Sequence, residues 1–439
     1  QRARQRARNA HRHHSRRGRL RAARANYRAS YLCIPENALA TVGVGLSFLQ
    51  RINPAWFLAG AAFFLPIKPA PVNLFLALAL VFVLVNQSTR SRLASLFKHP
   101  ISLAAYALIA WLLITLFFET SNFDSARDYL SKYLRILLLP FLAAAFLDRR
   151  DAFTVLDTFC MGVFASVLAS FAVALGFFPW PEGSESPLLF KLHITHNFFI
   201  ALATGYVAYR LRMQWSNITV WVKAVVLVAL ALTLYNFFFM VEGRSGWVAM
   251  AVLPVVVAYQ RIGFKGSLLA AGAVSVVLCA LYFGSDFFFT RVNAVIIEVQ
   301  QWVDGQAIAQ DTSNGRRLSF WLHSLEAFVQ APWFGYGMGG FESAVTPHAQ
   351  AASFTFAFNN PHNQYLLFAV QGGVLALLLY CIFIGTVLLR NHSQHLVLLH
   401  GFTLAYVLLN MLNSFHYDFA EGVFFVLGLA ALAFPVDQA

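Results

Sequence analysis

The feature that most constrains this chain is the recurrence of apolar runs close to twenty residues long. Residues 364–389, QYLLFAVQGGVLALLLYCIFIGTVLL, hold no charged side chain, and similar runs recur from residue 71 onward. About twenty residues of α-helix, at a rise of about 1.5 Å each, match the roughly 30 Å hydrocarbon layer of a bilayer. Inside lipid each backbone N–H and C=O needs a partner within the protein, which restricts spanning structures to helices and closed barrels. These runs are too long and too uniformly apolar for alternating barrel strands. Composition agrees: 59% of residues are hydrophobic and 12% charged, against about 25% charged in soluble domains. The fold class is therefore expected to be all-α, a polytopic membrane protein.

Spans are expected at 71–87, 101–118, 134–148, 152–178, 197–212, 219–240, 245–260, 266–285, 364–390, 396–412 and 419–435. The short connectors STRSRLASLFKHP, DRRD, YRLRMQ, QRIGFKG and RNHSQ fall on one face and are basic, which marks that face as cytoplasmic. The stretch 34–67 holds two short apolar pieces separated by QRINP. One crossing plus one interfacial piece keeps the basic head inside, giving about twelve transmembrane helices with both termini cytoplasmic. The resulting plan is a basic tail (1–33), a first bundle part (34–285), a periplasmic loop or cap (286–361) and three last helices (362–439). Four segments then lie outside: 119–133, 179–196, the VEGRS turn and 286–361. The last contains the amphipathic stretches FTRVNAVIIEVQQWV and RRLSFWLHSLEAFV, expected as short helices.

The net charge of +13 is concentrated in the head QRARQRARNAHRHHSRRGRLRAARANYR, which has no acidic residue. Beside a membrane segment it reads as an anchor to anionic lipids; no nucleic-acid-binding module accompanies it. It is too long and arginine-dense for a signal peptide, so no cleavage is expected. Cys33, Cys160, Cys279 and Cys381 are scattered without metal-ligand spacing.

Basic residues on the outer face need a reason. Arg244 stands at the outer mouth of a helix, Arg316 and Arg317 in the long loop, and His362 where that loop re-enters the membrane. Asn360 suits an N-cap, Pro361 the first helical position, and His362 then falls in the first turn, where the helix dipole favours a neutral imidazole. Such a histidine either hydrogen-bonds a headgroup or accepts a proton. Arg244 either pairs with Glu242 or snorkels, and Arg316 and Arg317 form either a solvated pair or an anion clamp. All four on one face favour an anionic ligand of the pyrophosphate kind, which planar guanidinium groups grip bidentately. His196 and Asn197, in KLHITHNFF, repeat the histidine–asparagine pair at a helix start and are expected as a cap or a substrate contact. No Asp-x-Asp loop or Walker-type phosphate loop is present. The glycines of APWFGYGMGGFE, residues 331–342, fit neither dinucleotide nor ATP binding and are expected to form a turn leading back to the membrane.

GRRLSFW, PWFGYGMGGF and PHNQYLLFAVQGG together resemble the signature region of the O-antigen ligase/polymerase superfamily of membrane glycosyltransferases. Arg317 and Trp321 reproduce an arginine four residues before a tryptophan. Pro332, Gly335 and Gly337 match a Pro-x-x-Gly-x-Gly turn, and His362, Asn363 and Gly373 a His-Asn helix start with a downstream glycine. GRSGWVAM is similar to the upstream arginine motif, with Val248 where the family carries leucine. The specific match covers about 245–375.

The resemblance implies an inverting, metal-independent glycosyltransferase of the bacterial inner membrane without a cofactor, its active site on the periplasmic side. The donor would be a glycan on undecaprenyl pyrophosphate and, for the ligase branch, the acceptor a sugar hydroxyl of lipid A core. His362 would be the catalytic base, and Arg244 and Arg317, with Arg316, would hold the pyrophosphate. Asn363 and His196 would be secondary contacts. The alternatives are an O-antigen polymerase, a protein O-oligosaccharyltransferase, or a transporter of lipid-linked oligosaccharides. Polymerases use an arginine with a glycine eleven residues on, an offset missing after Arg291, Arg316 and Arg317. Protein-targeting members carry an extra C-terminal domain, whereas this chain is expected to close on its last span. Transporters favour inverted repeats and mid-membrane charges, which the sequence lacks.

Overall fold

A computed structural model describes residues 52–118, 122–184, 186–352, 359–389 and 395–434. The expected basic tail and most of the 34–67 stretch lie outside the described residues. Residues from Asn53 onward form one compact unit, helical throughout with no strand among the described residues.

The chain opens with α1 (Ala55–Phe64), α2 (Pro69–Val85) and α3 (Gln87–Phe97). Asn86 bends α2 against α3 by 97°. Its backbone is extended, and its side chain accepts the Ser88 N–H to start the second helix. Next come α4 (Pro100–Ile114), α5 (Phe123–Tyr133), α6 (Leu139–Ala145), α7 (Arg149–Ala174), α8 (His193–Gln214) and α9 (Val220–Tyr235). The expected span 134–148 is a 3₁₀ turn (Leu134–Leu138) followed by the short α6, which Pro140 opens.

Five described helices are long and apolar enough to cross a membrane, or six if the bent pair α2–α3 is one span. Among them is α10 (Arg244–Gly284), 41 residues long. Gly263, at φ 67°, interrupts it where the sequence predicts a connector between two spans. A Cβ on Gly266 would lie 2.4 Å from the Ala258 carbonyl, whereas eight residues of straight helix rise about 12 Å. The chain therefore folds back at Gly263 into two antiparallel arms.

Beyond α10 come α11 (Asp286–Val303), α12 (Ser313–Gln330) and α13 (Phe341–Ala351). The two amphipathic stretches of the long loop are thus helices, α11 and α12. The chain ends with α14 (Gln364–Leu388), α15 (Leu396–Leu409) and α16 (Phe419–Leu432), the last two shorter than a full span.

The glycine-rich turn interlocks with a break in α14. Gly373 takes φ 68°, which frees the carbonyls of Val370 and Gln371 from helical partners. Those carbonyls accept from Tyr336 N (2.8 Å) and Gly337 N (3.0 Å), and Val374 N donates to Pro332 O at 2.7 Å. The backbones approach so closely that a Cβ on Gly373 would stand 2.2 Å from the Trp333 carbonyl. The turn thus ties the segment that carries α12 and α13 to α14.

The four segments expected outside meet at one end of this unit. Tyr129 donates to the Asn359 carbonyl, Glu242 N to Ser186 Oγ at 3.1 Å, and Arg291 pairs with Glu242. Basic connectors meet at the far end, where Tyr209 bonds His395 and Gln260 bonds His400.

Candidate active site

The histidine loop, residues 359–363, is held from three sides. Asn360 Oδ1 accepts from His362 N (2.9 Å) and from Ser414 Oγ (2.7 Å). Trp321 of α12 donates its indole N–H to the Pro361 carbonyl at 3.1 Å. Gln364, fully buried, gives its N–H to the carbonyls of Asn410 and Asn413. Its amide joins Tyr133 Oη and His416 N, so neither end of that buried amide is orphaned.

This corrects the expected cap. Helix α14 starts at Gln364, and Asn363, not Asn360, is its N-cap, accepting from Tyr365 N and Leu366 N. His362 precedes the cap with φ +49°, the one non-glycine residue with positive φ among the described residues. Left-handed backbone is uncommon for a residue with a Cβ and persists where surroundings over-determine it. Here Asn360 folds back onto the His362 N–H while Asn363 starts the helix, and the histidine is the hinge between them.

The electrostatics of His362 also differ in origin from the sequence reading. Burial, and then the Arg317 charge, push its imidazole down from 6.5 to about 4. The neutral form therefore dominates at pH 7 because of burial first and the Arg317 charge on α12 second, rather than a helix dipole. Phe320 stacks on the ring, with centroids 6.2 Å apart and planes at 21°. Arg317, Phe320 and Trp321 lie within about one turn of α12, so one helix face presents a cation, a ring and a hydrogen-bond donor to the histidine loop.

Arg317 is itself held below its ordinary value, first by burial and then by the charge of Arg244, while Glu298 acts in the opposite sense. Arg244, Arg317 and His362 therefore share one electrostatic neighbourhood. Arg244 is the first residue of α10, where the dipole disfavours a cation and welcomes an anion. Its Nη1 is buried with no hydrogen-bond partner among the described residues. Of the two alternatives for Arg244, the pairing with Glu242 gives way to a pair between Glu242 and Arg291. A buried guanidinium nitrogen without an acceptor is costly, and an added anion would remove that cost. Asn197 aims the turn ahead of Arg244: its Nδ2 donates to the carbonyls of Val241 (3.2 Å) and Gly243 (3.4 Å).

Two candidates sit apart from this group. Arg316 bonds the Gln310 carbonyl at 3.1 Å and approaches Asp311 at 3.9 Å, so its fork serves its own loop. His196 does not cap α8, which starts at His193. Its ring shares hydrogen bonds with Ser166 (3.2 Å) and Asn236 (2.9 Å) in a buried polar cluster.

Sequence reasoning passed over Glu298, which accepts from Asn314 N and Nδ2, both at 2.9 Å. It secures the first turn of α12 and balances the Arg317 charge. Its partner lies sixteen residues away on another helix, a relation without a local signal. Trp321 was within reach, since its i+4 spacing from Arg317 puts both on one helical face.

A family model described as O-antigen ligase matches residues 225–381, a window that holds Arg244, Arg316, Arg317, His362 and Asn363 and excludes His196. An uncharacterized protein of Haemophilus influenzae is 25% identical over 246 residues, covering 53% of this chain and 59% of that protein. This chain thus matches less than two thirds of that relative's length. Residues 225–381, carrying the two arginines that share a neighbourhood with the histidine, are thus the part of this chain that matches the O-antigen ligase family.

Proposed function

We propose that this chain is an O-antigen ligase, transferring a glycan from undecaprenyl pyrophosphate to a sugar hydroxyl of lipid A core. The reaction inverts the anomeric centre, uses no metal and takes place on the periplasmic side of the bacterial inner membrane. The observation that carries this reading is the grouping of a neutral histidine with two half-buried arginines, one of which has a buried, unpartnered guanidinium nitrogen.

In this mechanism the His362 imidazole takes the proton of the acceptor hydroxyl as its oxygen attacks the anomeric carbon. The bond from that carbon to the pyrophosphate oxygen breaks, and the electron pair leaves with the undecaprenyl pyrophosphate. Arg244 and Arg317 grip the phosphates and offset the charge that grows on them. Bound pyrophosphate also counters the Arg317 charge felt by His362, which raises the basicity of the imidazole when the donor is in place. Arg316 keeps the Arg317 turn in order, and Asn363 fixes the helix start beside the base.

The test is deletion of the gene followed by analysis of surface glycan. Glycan left on its undecaprenyl carrier with lipid A core unmodified, restored by the wild-type gene, supports the ligase. Normal attachment with shortened glycan would identify the polymerase branch instead.

A further inference from the structure

Between α8, the two arms of α10 and the start of α15 runs a cavity of about 690 Å³. It is lined by apolar side chains such as Leu253, Val257, Val274 and Leu278, with no aspartate or glutamate in its wall. The charged groups lining it are Arg212 and Arg261.

Helix register puts those two arginines together. Gly246 abuts Asn197 and Gly205 abuts Leu253, so α8 and the first arm of α10 run parallel at a nearly constant offset. The same offset sets Arg212, near the end of α8, beside Arg261, near the fold-back at Gly263. Trp247, three residues from Arg244, lines the opposite end. Both arginines are exposed, and neither has a hydrogen bond or ion pair among the described residues. Their neighbours are committed: Arg210 bonds Asp157 at 3.1 Å, Tyr209 bonds His395 and Gln260 bonds His400.

We propose that this cleft binds an anionic glycerophospholipid, its phosphate held by Arg212 and Arg261 and an acyl chain laid toward Trp247. Three observations select this occupant. The cleft is apolar along its length, as an acyl chain requires. It ends on two uncompensated guanidinium groups, which suit phosphate oxygens. A methylene takes roughly the ~30 Å³ share of a liquid water, so the volume accepts about twenty methylenes, one long acyl chain and little more. A long polyprenyl chain would exceed that space and press its uncharged end against the two guanidinium groups. The two guanidinium groups that hold the phosphate lie at the far end of the cleft from Arg244, and the proposal does not depend on the ligase reading.

The experiment uses the purified, delipidated full chain in detergent, with phosphatidylglycerol and phosphatidylethanolamine of identical acyl chains as probes. Retained lipid is read by native mass spectrometry and melting temperature by intrinsic fluorescence. Wild-type protein should retain phosphatidylglycerol about tenfold better than phosphatidylethanolamine, given roughly a threefold to sixfold gain per arginine near an anionic headgroup. It should also melt higher with the anionic lipid. The double variant Arg212→Gln/Arg261→Gln should lose the preference while melting as wild type without lipid, and Ala251→Phe, which fills the cleft, should retain less of both lipids. Equal retention of the two lipids by wild type, an undiminished preference in the double variant, or a polyprenyl phosphate as the retained occupant would overturn the proposal. Should Ala251→Phe fail to fold, the double variant decides.

Discussion

Trp321 donates its indole N–H to the carbonyl of Pro361 at 3.1 Å, tying α12 to the residue just before His362. Arg317 lies one helical turn back from Trp321, and its charge acts on the His362 ring. The arginine–tryptophan spacing is thereby a geometric device in which one helix face both anchors the histidine loop and adds to the effect of burial in keeping its ring neutral.

Replacing His362 tests the base directly. A positioned general base contributes about 10² to 10⁴ in rate, so His362→Ala should reduce transfer by at least that factor while the protein still inserts and elutes as a single species. Wild-type turnover from such a preparation would remove His362 from the mechanism.

The pH profile should separate the charge of Arg317 from its fork. The imidazole works as a base in its neutral form, so activity falls as pH drops through its value, about 4 in the free protein against an ordinary value near 6.5. Arg317→Met removes the second cause of the depression, and the acid limb of kcat/KM should move up toward 6.5. Arg317→Lys keeps the charge and should leave the limb low, yet lose about tenfold in kcat/KM because the bidentate fork is gone. An acid limb unmoved in Arg317→Met would show that the two residues do not interact.

Trp321→Phe keeps the ring volume and deletes the donor. A lost hydrogen bond of this kind costs about 0.5–1.5 kcal/mol, so a small drop in melting temperature should accompany a larger fall in kcat as the histidine loop loosens. A fall in stability with kcat unchanged would reduce Trp321 to a packing residue.

Gly373→Ala adds a Cβ 2.2 Å from the Trp333 carbonyl at a residue with φ 68°. Neither backbone yields easily, and the cost should be at least about 2 kcal/mol. Gly385→Ala, in the same helix with nothing within 4 Å of the new Cβ, is the control and should melt like wild type. Equal melting of the two variants would refute the interlock.

Transfer by the purified protein should survive EDTA, with the two arginines carrying the charge stabilisation. Activity lost to EDTA and restored by magnesium or manganese would assign that work to a metal.

The sequence by itself determined the helical, lipid-exposed class, because uninterrupted apolar runs leave the backbone no other means of satisfying its hydrogen bonds in a bilayer. Local signals also reached the amphipathic α11 and α12 and the connector at Gly263. Neighbour interactions within a turn or two govern all of these. Tertiary structure alone decided where α14 begins, since Asn360 and Asn363 are equally good caps in sequence. The choice fell to Asn363 because Ser414, more than fifty residues away, binds Asn360. Tertiary structure alone also gave Glu242 to Arg291 and left an Arg244 nitrogen without an acceptor. The neutrality of His362 had the same origin: the helix-dipole argument reached the right charge state from a cap that does not form, while burial and Arg317 set it. Desolvation and charge act through space, and no spacing along the chain records them.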